Sequence, residues 1–403
     1  MDTRTESPST PPDRPLRVLL WSPVGAGLHY SGPAMTAYRL YATAAPKRFL
    51  IDLAHGQPQQ QRYELFQRQH LVSPLGGSHL SKLRFVLAGR RWIRRHAGEY
   101  EVFHGLQGFS LTVSPALAAQ KTGLPAVIKL ATHRSDLADK ASWSSWLGLA
   151  RRRRRAVARL SGVIAISRAI EQELLEYGIP ESKVVFIPNG VDVNLFRPPR
   201  DDQEKTALRR GLGWADRPTV LFVGRLVRRK GPLLMLEAMA RLKERAVDAQ
   251  LVLVGPDGEA DYMQQLRDAH ARLGLGERVI WHGFTEDPSE LYRAADVFAL
   301  PSRSEGMPNA VAEALASGLP AVVTAISGST DLIGEEQSRG RFIERDAASL
   351  SEALGDYLSD ASLRQAQGEA ARRWIVSHYS TAAVLDAHEA LFRRIIAGQP
   401  ARD

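Results

Sequence analysis

The 403-residue sequence contains no cysteine, which excludes disulfides, thiolate metal sites and thiol nucleophiles. No stretch approaches about 18 consecutive apolar residues, so no segment reads as a membrane-spanning helix. The first fifteen residues are rich in Thr, Ser, Pro and charge and lack the apolar core of a secretory leader. They read as a disordered tail, and a cytoplasmic location is expected. No G-x-G-x-x-G spacing follows the first apolar strand, which argues against an ordinary dinucleotide fold. No recognised nucleic-acid module accompanies the basic residues, so nucleic acid is not an expected partner.

What is present is a globular composition, with 44% hydrophobic and 24% charged residues, long enough for two α/β domains with separate cores. The net charge of +9 is unevenly placed. Residues 1–198 hold 27 Lys and Arg against 14 Asp and Glu, whereas the remainder holds 26 against 30. Such asymmetry suggests that the first half meets an anionic surface. One basic group, Lys82, Arg84, Arg90, Arg91, Arg94 and Arg95, surrounds Leu83, Phe85, Val86, Leu87, Trp92 and Ile93. A second, Arg151 to Arg155 with Arg159, follows Trp143, Trp146 and Leu147. The first suits a basic amphipathic helix lying on anionic lipid, or equally a half-buried helix with a solvated basic face.

The chain reads as two successive α/β alternations. Strands are expected at Leu16–Trp21, Phe49–Leu53, Val102–His104, Ala126–Leu130, Gly162–Ile166 and Val184–Ile187, with helices over about 34–45 and 170–177. The polar, proline-bearing stretch at 196–203 reads as a linker. A second alternation places strands at 219–223, 251–254, 279–282, 297–300 and 321–324, and an amphipathic helix spans 382–396. The expected fold class is therefore α/β, with two Rossmann-like doubly wound domains facing a central cleft. Their boundaries are placed at 16–198 and 199–380, and a closing helix at 381–397 is expected to cross back onto the N-terminal domain.

The segment Ser302-Arg-Ser-Glu305-Gly-Met-Pro-Asn-Ala-Val-Ala-Glu313 carries the most chemistry. Glu305 should lie in a loop at the carboxyl end of a strand, and Glu313 in the helix that follows. A helix N-terminus collects unpaired N–H groups and partial positive charge, which suits a diphosphate. Carboxylates suit sugar hydroxyls. Together they describe a site for a nucleotide sugar. Gly224, Arg225 and Lys230 follow another strand of the same half, where the two cations could bracket a diphosphate.

With Pro188-Asn189-Gly190-Val191-Asp192, Phe222-Val-Gly-Arg-Leu226, Lys230-Gly231, His282-Gly283-Phe284 and Glu305 through Glu313 in this order, the chain resembles the retaining nucleotide-sugar glycosyltransferases of family 4, which have the GT-B fold. The resemblance implies that Glu313 holds the ribose hydroxyls and that Glu305 contacts the transferred sugar. Arg225 and Lys230 would neutralise the departing diphosphate without a metal, assisted by backbone amides at Gly306, Met307 and Asn309. Gly283 and Phe284 would line the base pocket, although Phe284 reads equally as a core aromatic. His133 falls where the family often has a His-Asp pair, but Arg134 follows it, so Asp136 does not simply inherit the aspartate's role. Gly32 stands in the first loop before Pro33, which supplies no N–H. Asn189 and Ser167 read as caps or as functional groups near the cleft.

The resemblance implies transfer of a hexosyl group with retention, to a saccharide or lipid-linked saccharide. The nucleotide sugar is a substrate, and no cofactor or metal is expected. Rival readings are a soluble natural-product acceptor, a phosphorylase or epimerase on the same fold, and a non-catalytic partner subunit docking through its basic half.

Overall fold

The computed structural model describes residues 14–27, 32–43, 47–131, 137 and 149–402. Residues 1–13 of the expected N-terminal tail, His133, Asp136, Trp143, Trp146 and Leu147 lie outside these residues, whereas Arg14 of that tail pairs with Glu101 at 2.7 Å.

Among the described residues the first sheet has seven strands: β1 (Leu16–Ser22), β2 (Phe49–His55), β3 (Phe66–Leu71), β4 (Val102–Leu106), β5 (Ala126–Leu130), β6 (Gly162–Ala165) and β7 (Val184–Phe186). Their order is β3-β2-β1-β4-β5-β6-β7, and every pairing is parallel. The second sheet has six: β8 (Thr219–Val223), β9 (Gln250–Val254), β10 (Val279–Gly283), β11 (Val297–Leu300), β12 (Ala321–Thr324) and β13 (Gly340–Ile343). Its order is β10-β9-β8-β11-β12-β13, again all parallel. Central strands such as Thr219-Val-Leu-Phe-Val and Ala126-Val-Ile-Lys-Leu are largely apolar because both faces are covered. The strand order reverses between β1 and β4 in one sheet and between β8 and β11 in the other. Diverging loops at those switch points leave a crevice outside the carboxyl ends of the strands, where ligands of such sheets bind.

Among the elements outside the expected pattern are β3, β13 and the first helix. β3, Phe-Gln-Arg-Gln-His-Leu, is an edge strand with half its residues exposed, so it has no apolar alternation to announce it. The helix placed over 34–45 instead runs Pro33–Ala42, with Pro33 at its first turn, where the missing N–H costs nothing. The polar stretch at 196–203 lies between the last strand of the first sheet and the first strand of the second, and it is tied down. Arg197 forms a bidentate pair with Glu204 at 2.7 and 3.0 Å, and Asp201 caps a helix over Asp202–Gly211. Arg372 donates to the carbonyls of Val193, Phe196 and Ala316, fastening the segment to the helix Ala361–His378.

The last helix, Thr381–Ile396, buries Val384, Leu385, Leu391, Phe392 and Ile395 in a cluster with Leu16, Val18, Leu40 and Phe49 of the first sheet and its first helix. The Phe392 and Phe49 rings meet edge to face at 6.1 Å. Arg48 anchors the same helix by ion pairs to Asp386 and Glu389.

Candidate active site

Two loops leave neighbouring strands of the second sheet at its switch point and interlock. After β8 the chain runs through Gly224 to Gly231, which begins the helix Pro232–Glu244. After β11 it runs from Pro301 to Pro308, which begins the helix Asn309–Ala316. Gly231 has φ +78°, and a Cβ there would lie 2.5 Å from the Pro301 carbonyl oxygen. Only glycine allows that approach. The Arg303 backbone N–H donates to the Arg229 carbonyl at 2.8 Å, and the Arg229 guanidinium donates to the Ser304 carbonyl.

This interlock brings Lys230 and Glu305 together at 2.7 Å. The same carboxylate oxygen, Oε1, accepts from Arg229 at 3.0 Å and from the Ser302 hydroxyl at 2.8 Å. Glu305 therefore holds a fixed rotamer under two cations. The next turn leads into the helix Asn309–Ala316. Among the described residues, the backbone N–H groups of Gly306, Met307, Asn309 and Ala310 donate to no protein acceptor. They form an anion-binding terminus beside Glu305.

Glu313, on the same helix, is buried. Its Oε2 accepts from the Tyr292 hydroxyl at 3.0 Å, and its Oε1 lies 3.4 Å from Arg39 of the first half. Burial raises the pKa of Glu313, and the charge of Arg39 and the Tyr292 hydrogen bond offset this in part.

The loops of both halves face one cleft of about 690 Å³. Gly32, Pro33, Thr36, Lys129, Ile166 and Asn189 line it from the first half; Arg229, Arg303, Glu305, Gly306, Met307 and Asn309 line it from the second. Polar contacts hold the halves together beside it. The Asn189 side chain donates to Asn309 Oδ1 at 2.9 Å, and Asn309 Nδ2 donates to Thr36 at 3.2 Å. The Asn189 backbone N–H reaches the Met307 sulfur at 3.2 Å. Ser167 both caps the helix Arg168–Glu176 and shares a 2.9 Å hydrogen bond with Ser327.

Of the residues singled out from sequence, Gly32, Glu305, Gly306, Met307 and Asn309 line the cleft, and Lys230 joins them through Glu305. Gly224 has φ +157°, and a Cβ there would lie 3.7 Å from the Lys230 side chain. Arg225 is exposed and is not among the residues lining the cleft, whereas Arg229, also exposed, lines it. Phe284 is 65% exposed, which removes the core alternative, and Gly283 is exposed beside it. Sequence reading missed Arg229, Arg303, Thr36, Lys129, Arg39 and Tyr292. A run such as Arg228-Arg229-Lys230 signals cations without showing which of them meet Glu305.

The family described as Glycosyltransferase Family 4 matches residues 31–195, and that described as Glycosyl transferases group 1 matches residues 204–374. The putative glycosyltransferase EpsF of Bacillus subtilis is 30% identical over 311 residues, 76% of either chain. The chain belongs to glycosyltransferase family 4. The D-inositol 3-phosphate glycosyltransferase of Xylanimonas cellulosilytica is 31% identical over 255 residues, 61% of this chain and 60% of that protein. The matches span only 56% to 64% of the length of three such curated relatives. HepE of Anabaena, solved in complex with UDP, superposes with a TM-score of 0.76 over 93% of this chain and 99% of its own, at 20% identity. That likeness shows the GT-B architecture typical of family 4.

Proposed function

We propose that this family 4 member transfers a hexosyl group from a nucleoside diphosphate sugar to a saccharide or lipid-linked saccharide, with retention of anomeric configuration. The observation that carries the reading is the clustering of Lys230, Arg229 and Glu305 beside the free N–H groups at the start of the helix Asn309–Ala316. Cations and amides of that kind suit a departing diphosphate, a task assigned here to side chains without a metal. Glu305 takes hydroxyls of the transferred sugar and Glu313 the ribose diol, for which Arg39 and Tyr292 hold its oxygens in place. Gly283 and Phe284 meet the base. The family resemblance assigns His133, which lies outside the described residues, to the transferred sugar.

Among the described residues no carboxylate other than Glu305 lines the cleft, so front-face substitution is favoured over a covalent glycosyl-enzyme. The departing phosphate then helps to take the acceptor proton, and the enclosed site limits hydrolysis of the donor. The protein is assigned to the cytoplasmic face of a membrane. Leu80, Leu83 and Leu87, at i, i+3 and i+7 on the helix His79–His96, are each more than half exposed among Lys82, Arg84, Arg91, Arg94 and Arg95. An apolar stripe flanked by cations fits an anionic bilayer.

The test is a panel of nucleoside diphosphate hexoses offered with saccharide acceptors, with the product anomer read by NMR. Retained configuration is expected; an inverted product would refute the mechanism, and no turnover of any donor would refute the assignment.

A further inference from the structure

The first sheet brings to the cleft a positive charge that the reading above leaves unused. Lys129 is the penultimate residue of β5 and pairs in register with Leu106 of β4 and Ile164 of β6. It stands one side-chain layer nearer the cleft than Val127 and His104, which pair with each other below it. Although Lys129 is only 2% exposed, it lines the cleft. Among the described residues its ammonium has no hydrogen bond and no ion pair.

The groups packed under it supply no negative charge. His104 and His388 lie with ring centroids 5.7 Å apart, one on β4 and the other on the helix Thr381–Ile396. His104 Nδ1 shares a 2.6 Å hydrogen bond with the Tyr41 hydroxyl of the helix Pro33–Ala42, and His388 Nδ1 donates to the Val384 carbonyl at 2.8 Å. Both Nε2 atoms are buried without a partner. Burial keeps both imidazoles neutral, with the charge of Lys129 acting in the same direction. Burial also keeps the Tyr41 phenol protonated. The ammonium is therefore desolvated and unbalanced, an arrangement that costs stability unless a ligand completes it. Burial alone lowers its pKa to about 8. By contrast, Arg229 and Lys230 already share their charge with Glu305.

We propose that Lys129 binds a phosphate group of the substrate from the first-sheet side of the cleft. The phosphate belongs either to the donor diphosphate or to a phosphorylated acceptor. This inference rests on the reading of the cleft as a nucleotide-sugar site and adds to it a binding residue from the opposite half. A phosphate oxygen beside the ammonium stabilises its charged form, so ligand binding carries proton uptake in the alkaline range.

Calorimetric titration at pH 8.5, repeated in buffers of different ionisation enthalpy, tests this with UDP and GDP and then with glucose 6-phosphate added to nucleotide-saturated protein. The ligand phosphates are already fully ionised there, since their second pKa is about 6. With a free pKa of about 8, wild type is expected to take up roughly 0.7 proton per ligand bound. Lys129→Met should abolish that uptake and weaken phosphate binding about tenfold to a hundredfold, while its melting temperature equals or exceeds that of wild type. Lys129→Arg, which keeps the charge, should retain most of the affinity. Uptake with a nucleoside diphosphate assigns the phosphate to the donor, and uptake only with glucose 6-phosphate assigns it to the acceptor. Equal affinity and equal uptake in wild type and Lys129→Met overturn the inference while leaving the donor site standing. Failure of wild type to bind any of the three ligands overturns both. Should Lys129→Met not fold, the side-chain 15N resonance of Lys129 in wild type reads the same quantity, and a pKa unmoved by ligand sinks the proposal.

Discussion

Glu305 illustrates how one carboxylate is readied by its neighbours. Ser302, Arg229 and Lys230 all address a single oxygen, Oε1, so in the proposed role the other is left for a hydroxyl of the transferred sugar. Glu313 differs, because burial holds its carboxyl above the usual glutamate range. In the proposed role a ribose diol donates to the ionised form of Glu313, so donor affinity is expected to weaken as pH falls toward that raised pKa, earlier than for an ordinary glutamate. Glu313→Gln should bind donor more weakly and lose this acid limb, as a series of donor KM values against pH would reveal. Lys129 moves the other way. Between pH 8 and 10.5 the unfolded chain binds a proton there that the folded chain does not, so folding stability rises with pH across that window. The full effect is on the order of 3 kcal/mol. Denaturation midpoints measured from pH 8 to 10.5 should climb more steeply for wild type than for Lys129→Met. At this scale the sequence announced Glu305 and Glu313, because the Gly-Met-Pro-Asn turn fixes them relative to a strand and a helix. It did not single out Arg229, since a cation run has no period to tell which member meets Glu305. It gave no sign of Lys129, one polar residue in an apolar strand, whose meaning depends on what the sheet stacks beneath it.

Elements were more legible than contacts. Runs such as Val297-Phe-Ala-Leu and Thr219-Val-Leu-Phe-Val declare buried parallel strands, because both faces must be apolar. The edge strand β3 needs no such pattern and escaped notice. The loops between elements decide the site, and Gly231 is the point where two of them touch. A methyl group there would meet the Pro301 carbonyl at 2.5 Å in a backbone conformation that side chains disfavour. Gly231→Ala is expected to lower stability by about 1–3 kcal/mol and, by shifting Lys230, to raise donor KM. Thermal melting and steady-state kinetics on the same preparation would check both; a variant that melts and binds like wild type would show that the interlock is loose.

The whole molecule is two similar sheets that meet at their carboxyl ends, joined beside the cleft by the Asn189–Asn309–Thr36 chain and by Arg39 at Glu313. The doubly wound halves and the cleft between them could be read from the sequence, whereas the contacts that join them beside the cleft could not, because each is a single polar contact between segments far apart in sequence. The outer face of the first half carries the leucine stripe and its cations. Flotation with anionic vesicles should carry wild type upward in low salt and fail with neutral vesicles. Leu80→Ser with Leu83→Ser and Leu87→Ser should reduce flotation without altering transfer to a water-soluble acceptor; equal failure to bind both vesicle types would favour a soluble acceptor. The site itself is tested most directly by the rate of nucleoside diphosphate release from the preferred donor in wild type, Lys230→Ala and Glu305→Ala. Losses of about a hundredfold or more in kcat/KM are expected for each variant, with folding retained. Undiminished turnover in both variants would contradict a site built on these two side chains.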